Sequence, residues 1–317
     1  AQKDSLVTTG KHWKSVTQLP KKELSNLNID DSSIIVNLDE YGLHPKIVIR
    51  DDGTAIYCTQ DIGAAVSRFQ DHAFDKLIYI TAQEQGLYFQ QLFSILDKLG
   101  YSWSDRCQHI GFGFINLQEG RMATRQGNVV FLEDVLGKSL ELANKKLEGR
   151  NIPKNMKSRI AKNVGIGAIK YMVLSVDPSK EITFSWEKAL DFEGRAAPYI
   201  QYASVRASSL IQKSKLSHQH AGDYTFDPSH LDSDIERSLI RKLSDFPDIV
   251  KSATLQYKPN IVANYLFDVS KAFNDFYHNV KVIGNQYENS KIALVQASRT
   301  VIGNGASLLG ICMPDMM

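Results

Sequence analysis

Apolar residues fall into two regimes along this chain. Over residues 1–140, short β-branched runs alternate with stretches of helical spacing. Strands are expected at 34–37, 47–49, 77–80 and 109–114, because such runs between turn formers suit a pleated, packed surface. Between them, 61–69 and 86–99 repeat apolar residues every three or four positions, with Leu87, Phe89, Leu92, Phe93 and Leu96 as one stripe that would pack on a sheet. The run 129–132 also reads as strand-like. From about residue 139 strand signals nearly vanish, and helices are expected at 157–176, 198–212, 234–243, 260–280 and 289–309. The pattern predicts an α/β part over 1–140 followed by an all-α bundle over 141–317. The segment 218–233, with Gly222, Pro228 and several Ser, Asp and His residues, reads as a loop between two helices. The polar, weakly periodic start offers no early strand followed by a phosphate-gripping turn, so the sheet is expected to be incomplete.

Composition narrows this reading. With 317 residues, 43% hydrophobic and 23% charged, the chain suffices for about two domains with their own cores. Cys58, Cys107 and Cys312 are widely spaced and form no Cys-x-x-Cys pair, which argues against a disulfide framework and a structural zinc site and for a reducing compartment such as the cytoplasm. No apolar run approaches the roughly 20 residues of a membrane span, and residues 1–20 lack the apolar core of a secretory signal; a soluble protein without a membrane partner is expected. The net charge of +2 says little about partners. Its distribution says more: Lys145, Lys146, Arg150, Lys154, Lys157, Arg159 and Lys162 stand against the single acid Glu148, a local cationic segment that suits either RNA phosphates or a solvated helix face.

Several segments carry candidate chemistry. Asp52-Gly53-Thr54 is a turn after a strand, and Tyr57 and Asp61 share a face if Tyr57 enters a helix. A carboxylate beside a phenol complements a planar guanidinium, although a hairpin turn, a core aromatic and a capping aspartate would use the same residues. Gly165-Ile166-Gly167-Ala168-Ile169-Lys170 lacks the Gly-Lys-Ser/Thr ending of a phosphate loop and lies within a helical period, so close helix packing is the expected use of its glycines. Arg121-Met122-Ala123-Thr124-Arg125-Gln126-Gly127 is a basic, glycine-containing loop able to grip a polyphosphate, or simply a solvated turn.

Together with Tyr57-Cys58-Thr59-Gln60-Asp61, Pro198-Tyr199-Ile200-Gln201-Tyr202-Ala203-Ser204-Val205-Arg206 and the tail Leu308 to Met317, these segments resemble the class I arginyl-tRNA synthetases over nearly the whole chain. The resemblance implies a partial Rossmann-like class I catalytic domain followed by a C-terminal α-helical anticodon-binding bundle. It implies ATP-dependent activation of arginine and its transfer to the cognate tRNA, with magnesium accompanying ATP as substrate. It would place Tyr57, Asp61 and Gln85 in the amino-acid pocket, and His109, Gly111, Gly113, Met122 and Thr124 around ATP. Arg121 and Arg125 would stabilise charge building toward the departing pyrophosphate. Gln201, Tyr202, Arg206, Tyr277, Arg299 and Met317 would meet the tRNA, since aromatic faces and guanidinium groups stack on splayed bases.

Departures from the family pattern are also visible. His109-Ile110-Gly111 begins like the class I His-Ile-Gly-His signature, but the fourth residue is Phe112; the segment better resembles a His-Val-x-Phe-Gly stretch whose backbone lies beside the adenosine, while His109 equally suits a satisfied, half-buried histidine. Ala123 stands where the family has serine, Gln126 where it has lysine, and Lys281 where some relatives have tryptophan. The expected molecule is a monomeric C-terminal portion of an arginine-tRNA ligase, inactive alone and able to bind arginine tRNA; the alternative is a free-standing, non-catalytic tRNA-binding paralogue.

Overall fold

The computed structural model describes residues 33–50, 52–117, 131–214 and 227–317. Packing divides the chain into two units, one ending at Phe112 and one running from Gly113 to Met317. That division lies upstream of the boundary expected near residue 140, because the strand β5 (Ile115–Leu117) pairs in parallel with β6 (Ile182–Phe184) and so belongs with the helices that follow.

The first unit opens with an antiparallel pair, β1 (Ile34–Val36) and β2 (Lys46–Ile49). The turn after β2 closes where Arg50 N–H donates to Thr54 O at 3.0 Å and Thr54 N–H donates to Asp52 Oδ1 at 2.8 Å. Gly53 occupies φ +79° there, a left-handed conformation that favours glycine. The helix α1 (Tyr57–His72) follows and buries Cys58, Ile62 and Ala65. Then β3 (Leu77–Ala82), α2 (Gly86–Lys98) and β4 (Cys107–Phe112) form a βαβ unit with a parallel ladder from Leu77↔Cys107 to Ala82↔Phe112. On α2 the buried positions Phe89, Leu92, Ile95 and Leu96 follow the helical period. Leu87, expected in that stripe, is exposed in the first turn, and Ile95 takes its place in the core. Phe69 stacks on Trp103 at 5.0 Å and closes the far end of this core.

The second unit is mostly helical. Its helices are α3 (Leu132–Lys146), α4 (Lys154–Leu174), the single turn α5 (Trp186–Ala189), α6 (Ala197–Lys213), α7 (Asp234–Ser244), α8 (Phe246–Gln256), α9 (Pro259–Asn279) and α10 (Glu288–Leu308). The described end of the run read as strand-like, Phe131 and Leu132, is instead the entrance of α3. Two glycines of α4 permit close helix packing. A Cβ on Gly165 would lie 2.9 Å from the Ser139 carbonyl oxygen, and one on Gly167 would lie 2.9 Å from Gln201 Nε2, both tighter than ordinary side-chain packing allows. The bundle core is built from Ile200, Leu239, Leu266, Phe273, Phe276, Ile292, Val295 and Ile302. Ser233 starts α7 with a capping box closed by Glu236, which satisfies two end groups at once. Glu236 also pairs with Lys291 in the interior. Among the described residues no helix is long and apolar enough to cross a membrane.

Candidate functional site

In the first unit the sequence places Tyr57, 82% exposed, at the first residue of α1, and Asp61 one turn further along. The phenol that Asp61 engages is Tyr88, whose hydroxyl donates to Asp61 Oδ2. Burial, then this hydrogen bond, push the Tyr88 phenol far above its ordinary value, so it remains a donor at neutral pH. The Lys46 ammonium lies 5.0 Å from the centre of the Tyr88 ring, within cation–π range. Gln85 precedes Tyr88 by three residues, at the N-cap of α2, and is exposed. The Tyr88–Asp61 bond thus ties the entrance of α1 to the entrance of α2, bringing Asp61 close to the element that carries Gln85. Tyr88 was not legible as a site residue, because its partner is 27 positions away.

His109 is half-buried on β4. Its ring stacks on Phe89 with centroids 4.7 Å apart, Nε2 lies 2.9 Å from Thr81 Oγ1, and burial holds its pKa below the usual histidine value. The ring is therefore neutral and already partnered. At Gly111 an added Cβ would collide with Gln83, and at Gly113 with the Lys180 backbone, while the Gly113 N–H donates to Pro178 O at 2.8 Å. Both glycines thus have packing reasons to be glycine. The Cys58 and Cys107 thiols are pushed up to about 11 by burial, so neither is a nucleophile at neutral pH. Arg121, Met122, Thr124 and Arg125 lie outside the described residues.

The second unit gathers the other set. The Arg206 guanidinium lies 4.3 Å from the Tyr202 ring centre and 5.0 Å from that of Tyr277, and its Nη1 donates to Asn274 Oδ1 at 2.7 Å. Arg150 continues the series, 5.7 Å from Tyr202 and 4.7 Å from Phe192. Phe192, Arg150, Tyr202, Arg206 and Tyr277 thus form an alternating stack of rings and guanidinium groups, all half-buried. Arg299 is exposed on α10.

Gln201 differs from its expected place. It is fully buried, and its Nε2 donates to Asn163 O at 3.1 Å and to Cys312 O at 2.8 Å. Its amide braces the tail against α4 and is not offered to RNA. The tail is held further by Arg159 on Asp315 at 2.6 Å and by Lys170 Nζ donating to Gly310 O. Met317 packs half-buried against a second apolar cluster that includes Leu147, Ile160 and Val164.

Comparisons with known proteins converge. The family model described as "tRNA synthetases class I (R), catalytic domain" matches residues 5–186, and the "DALR anticodon binding domain" matches residues 200–317. The chain is 37% identical over 285 residues to the arginine-tRNA ligase of Halothermothrix orenii, covering 89% of this chain and 50% of that protein. It is 36% identical over 292 residues to arginine-tRNA ligase 1 of Bacillus cereus, covering 92% and 51%. The chain therefore spans about half the length of the curated relatives it matches. The fold is that of Thermus thermophilus arginyl-tRNA synthetase, with a TM-score of 0.81 at 23% identity, covering 100% of this chain and 58% of that one. The Plasmodium falciparum arginyl-tRNA synthetase gives the same TM-score of 0.81 at 22% identity, covering 99% and 52%.

Proposed function

Because this chain belongs to the class I arginyl-tRNA synthetase family, we propose that it is the tRNA-gripping portion of an arginine-tRNA ligase. The whole ligase would use ATP, with magnesium accompanying it as substrate, to activate arginine and pass it to its tRNA in the cytoplasm. In this reading residues 1–140 serve the amino acid and ATP, and residues 141–317 hold the tRNA. The chain acts as a monomer and, by itself, binds tRNA without charging it.

The observation that carries the reading is the stack of Tyr202, Arg206 and Tyr277. Bases of a single-stranded loop stack on such faces, and guanidinium groups pair with the phosphates between them. The cationic segment Lys145 to Lys162 lends long-range attraction to the polyanion. Arg299, exposed on α10, and the half-buried Met317 would add further contacts to the tRNA, whereas the buried Gln201 amide would brace the tail.

Asp61 is the proposed partner of the arginine guanidinium. Its carboxylate carries the matching charge, and the Tyr88 hydroxyl fixes its orientation, leaving lone pairs for a bidentate contact. Tyr57 and Gln85 would frame the same ligand. Arg121 and Arg125, with Met122 and Thr124 between and beside them, would lie along the phosphates. His109, neutral and stacked on Phe89, would form a wall of the ATP site together with the backbone at Gly111 and Gly113.

Titration of the chain with arginine tRNA and with an unrelated tRNA at two salt concentrations tests the binding half of the proposal. Preference for the arginine tRNA, with affinity falling as salt rises, is expected. Equal, salt-insensitive binding of both would overturn it.

A further inference from the structure

Two arginines of the helical unit lie over aromatic rings and donate to a side-chain amide of α9, yet they differ in charge balance. Just before α6, the Arg195 guanidinium lies 4.7 Å from the centre of the Phe267 ring, and its Nη1 donates to Asn264 Oδ1 at 2.9 Å. Its Nη2 also meets Asp268 Oδ1 at 3.6 Å, so this cation is balanced within the protein. Arg206 lies over two rings, those of Tyr202 and Tyr277, and donates to Asn274 Oδ1 at 2.7 Å. Among the described residues no carboxylate forms an ion pair with it. A guanidinium only donates, so this bond also settles which way the Asn274 amide points. Asn274 is only 6% exposed on α9, next to the core residue Phe273, which makes it a fixed anchor.

We propose that Asn274 is a positioning residue for RNA binding: it holds the Arg206 guanidinium between the two rings without cancelling its charge, so that the cation stays available to a phosphate of the bound loop. The choice of an amide decides this. An aspartate at the same place would form a charge-assisted pair with Arg206 and neutralise it inside the protein, as Asp268 does for Arg195. An apolar residue would release the guanidinium, which would then have to be ordered as RNA binds. The amide oxygen takes one N–H donor of Arg206, orients the group and leaves the other donors and the full charge to a ligand. The inference rests on the tRNA reading above and adds to it the residue that prepares its central cation.

Arginine tRNA is titrated over a range of salt concentrations against the full chain as wild type, Arg206→Ala, Asn274→Asp, Asn274→Leu and Asn264→Asp, with circular dichroism establishing that each variant is folded. Arg206→Ala gives the slope of log affinity against log salt without the cation, expected to be shallower by about 0.7, the share of one phosphate contact on a single strand. Asn274→Asp should weaken binding and fall to that shallower slope, a shift that a merely structural Asn274 would not produce. Asn274→Leu should weaken binding by about 2- to 12-fold, the cost of ordering one long side chain on binding, at the wild-type slope. Asn264→Asp adds the same charge beside an arginine that is already paired, and should keep the wild-type slope. The proposal is overturned if Asn274→Asp keeps the wild-type slope, if Asn264→Asp lowers it equally, or if Asn274→Leu binds as the wild type does. Should Asn274→Asp fail to fold, Asn274→Leu decides alone. A wild type without preference for arginine tRNA over an unrelated tRNA, or an Arg206→Ala that binds unchanged, refutes the tRNA reading and the proposal with it; failure at Asn274 alone leaves that reading standing.

Discussion

The Tyr88 hydroxyl donates to the Asp61 carboxylate, and this bond joins the N-terminal ends of two helices at the proposed arginine pocket. Tyr88→Phe removes the donor while keeping the ring over which Lys46 sits. Urea unfolding is expected to show a loss of about 0.5–1.5 kcal/mol, the usual net worth of one such bond. A stability unchanged by the substitution would mean that the bond does not organise the pocket.

The stack in the helical unit makes a sharper prediction. Tyr277→Ala should weaken arginine tRNA binding by about 5- to 150-fold, since stacking of a base on an aromatic ring is worth about 1–3 kcal/mol. Arg206→Lys keeps the charge but loses the planar fork, and should weaken binding as well. A filter-binding titration in which both variants match the wild type would contradict the assignment.

Gln201 supplies a contrast. Its amide spans Asn163 O and Cys312 O, so Gln201→Leu should cost about 1–3 kcal/mol of stability by leaving both carbonyls without their donor. Among molecules that remain folded, the salt dependence of tRNA binding should be unchanged. A shallower salt slope would return Gln201 to the RNA surface.

The buried pair of Glu236 and Lys291 sets a pH dependence. Burial alone would raise the Glu236 pKa, but hydrogen bonds from Lys291 and Ser233 outweigh it and hold the carboxyl below its ordinary value of 4.5. A depressed folded pKa contributes stability that is present above 4.5 and is lost as pH falls through the lower folded value. Lys291→Met should cost about 3–5 kcal/mol at pH 7, because it strands a buried charge, and the loss should shrink in acid. Thermal melts between pH 7 and pH 3 read this directly; a cost independent of pH would refute it.

The long helices were legible because each carries several turns of one apolar stripe: the expected 260–280 and 289–309 meet Pro259–Asn279 and Glu288–Leu308. Shorter or less periodic elements were not. Ile182–Phe184 has three residues, too few to establish a period of two, and the apolar entrance of α3 imitated a strand. The packing use of Gly165 and Gly167 was legible from their place within a helical period. Tyr88 was not, since a contact across 27 residues leaves no local trace. Gln201 could have been found: it falls on the stripe of Ala197, Ile200, Ser204 and Ala207, all buried on α6, where a polar side chain must be bonded inside the protein.

The central claim is that the rings flanking Arg206 read a tRNA loop. Its most direct measurement is a double comparison of affinities: wild type and Tyr277→Ala, each with arginine tRNA and with the same tRNA carrying a replaced anticodon loop. The account predicts that loop replacement weakens the wild type at least tenfold and Tyr277→Ala far less. An equal loss in both proteins would contradict it.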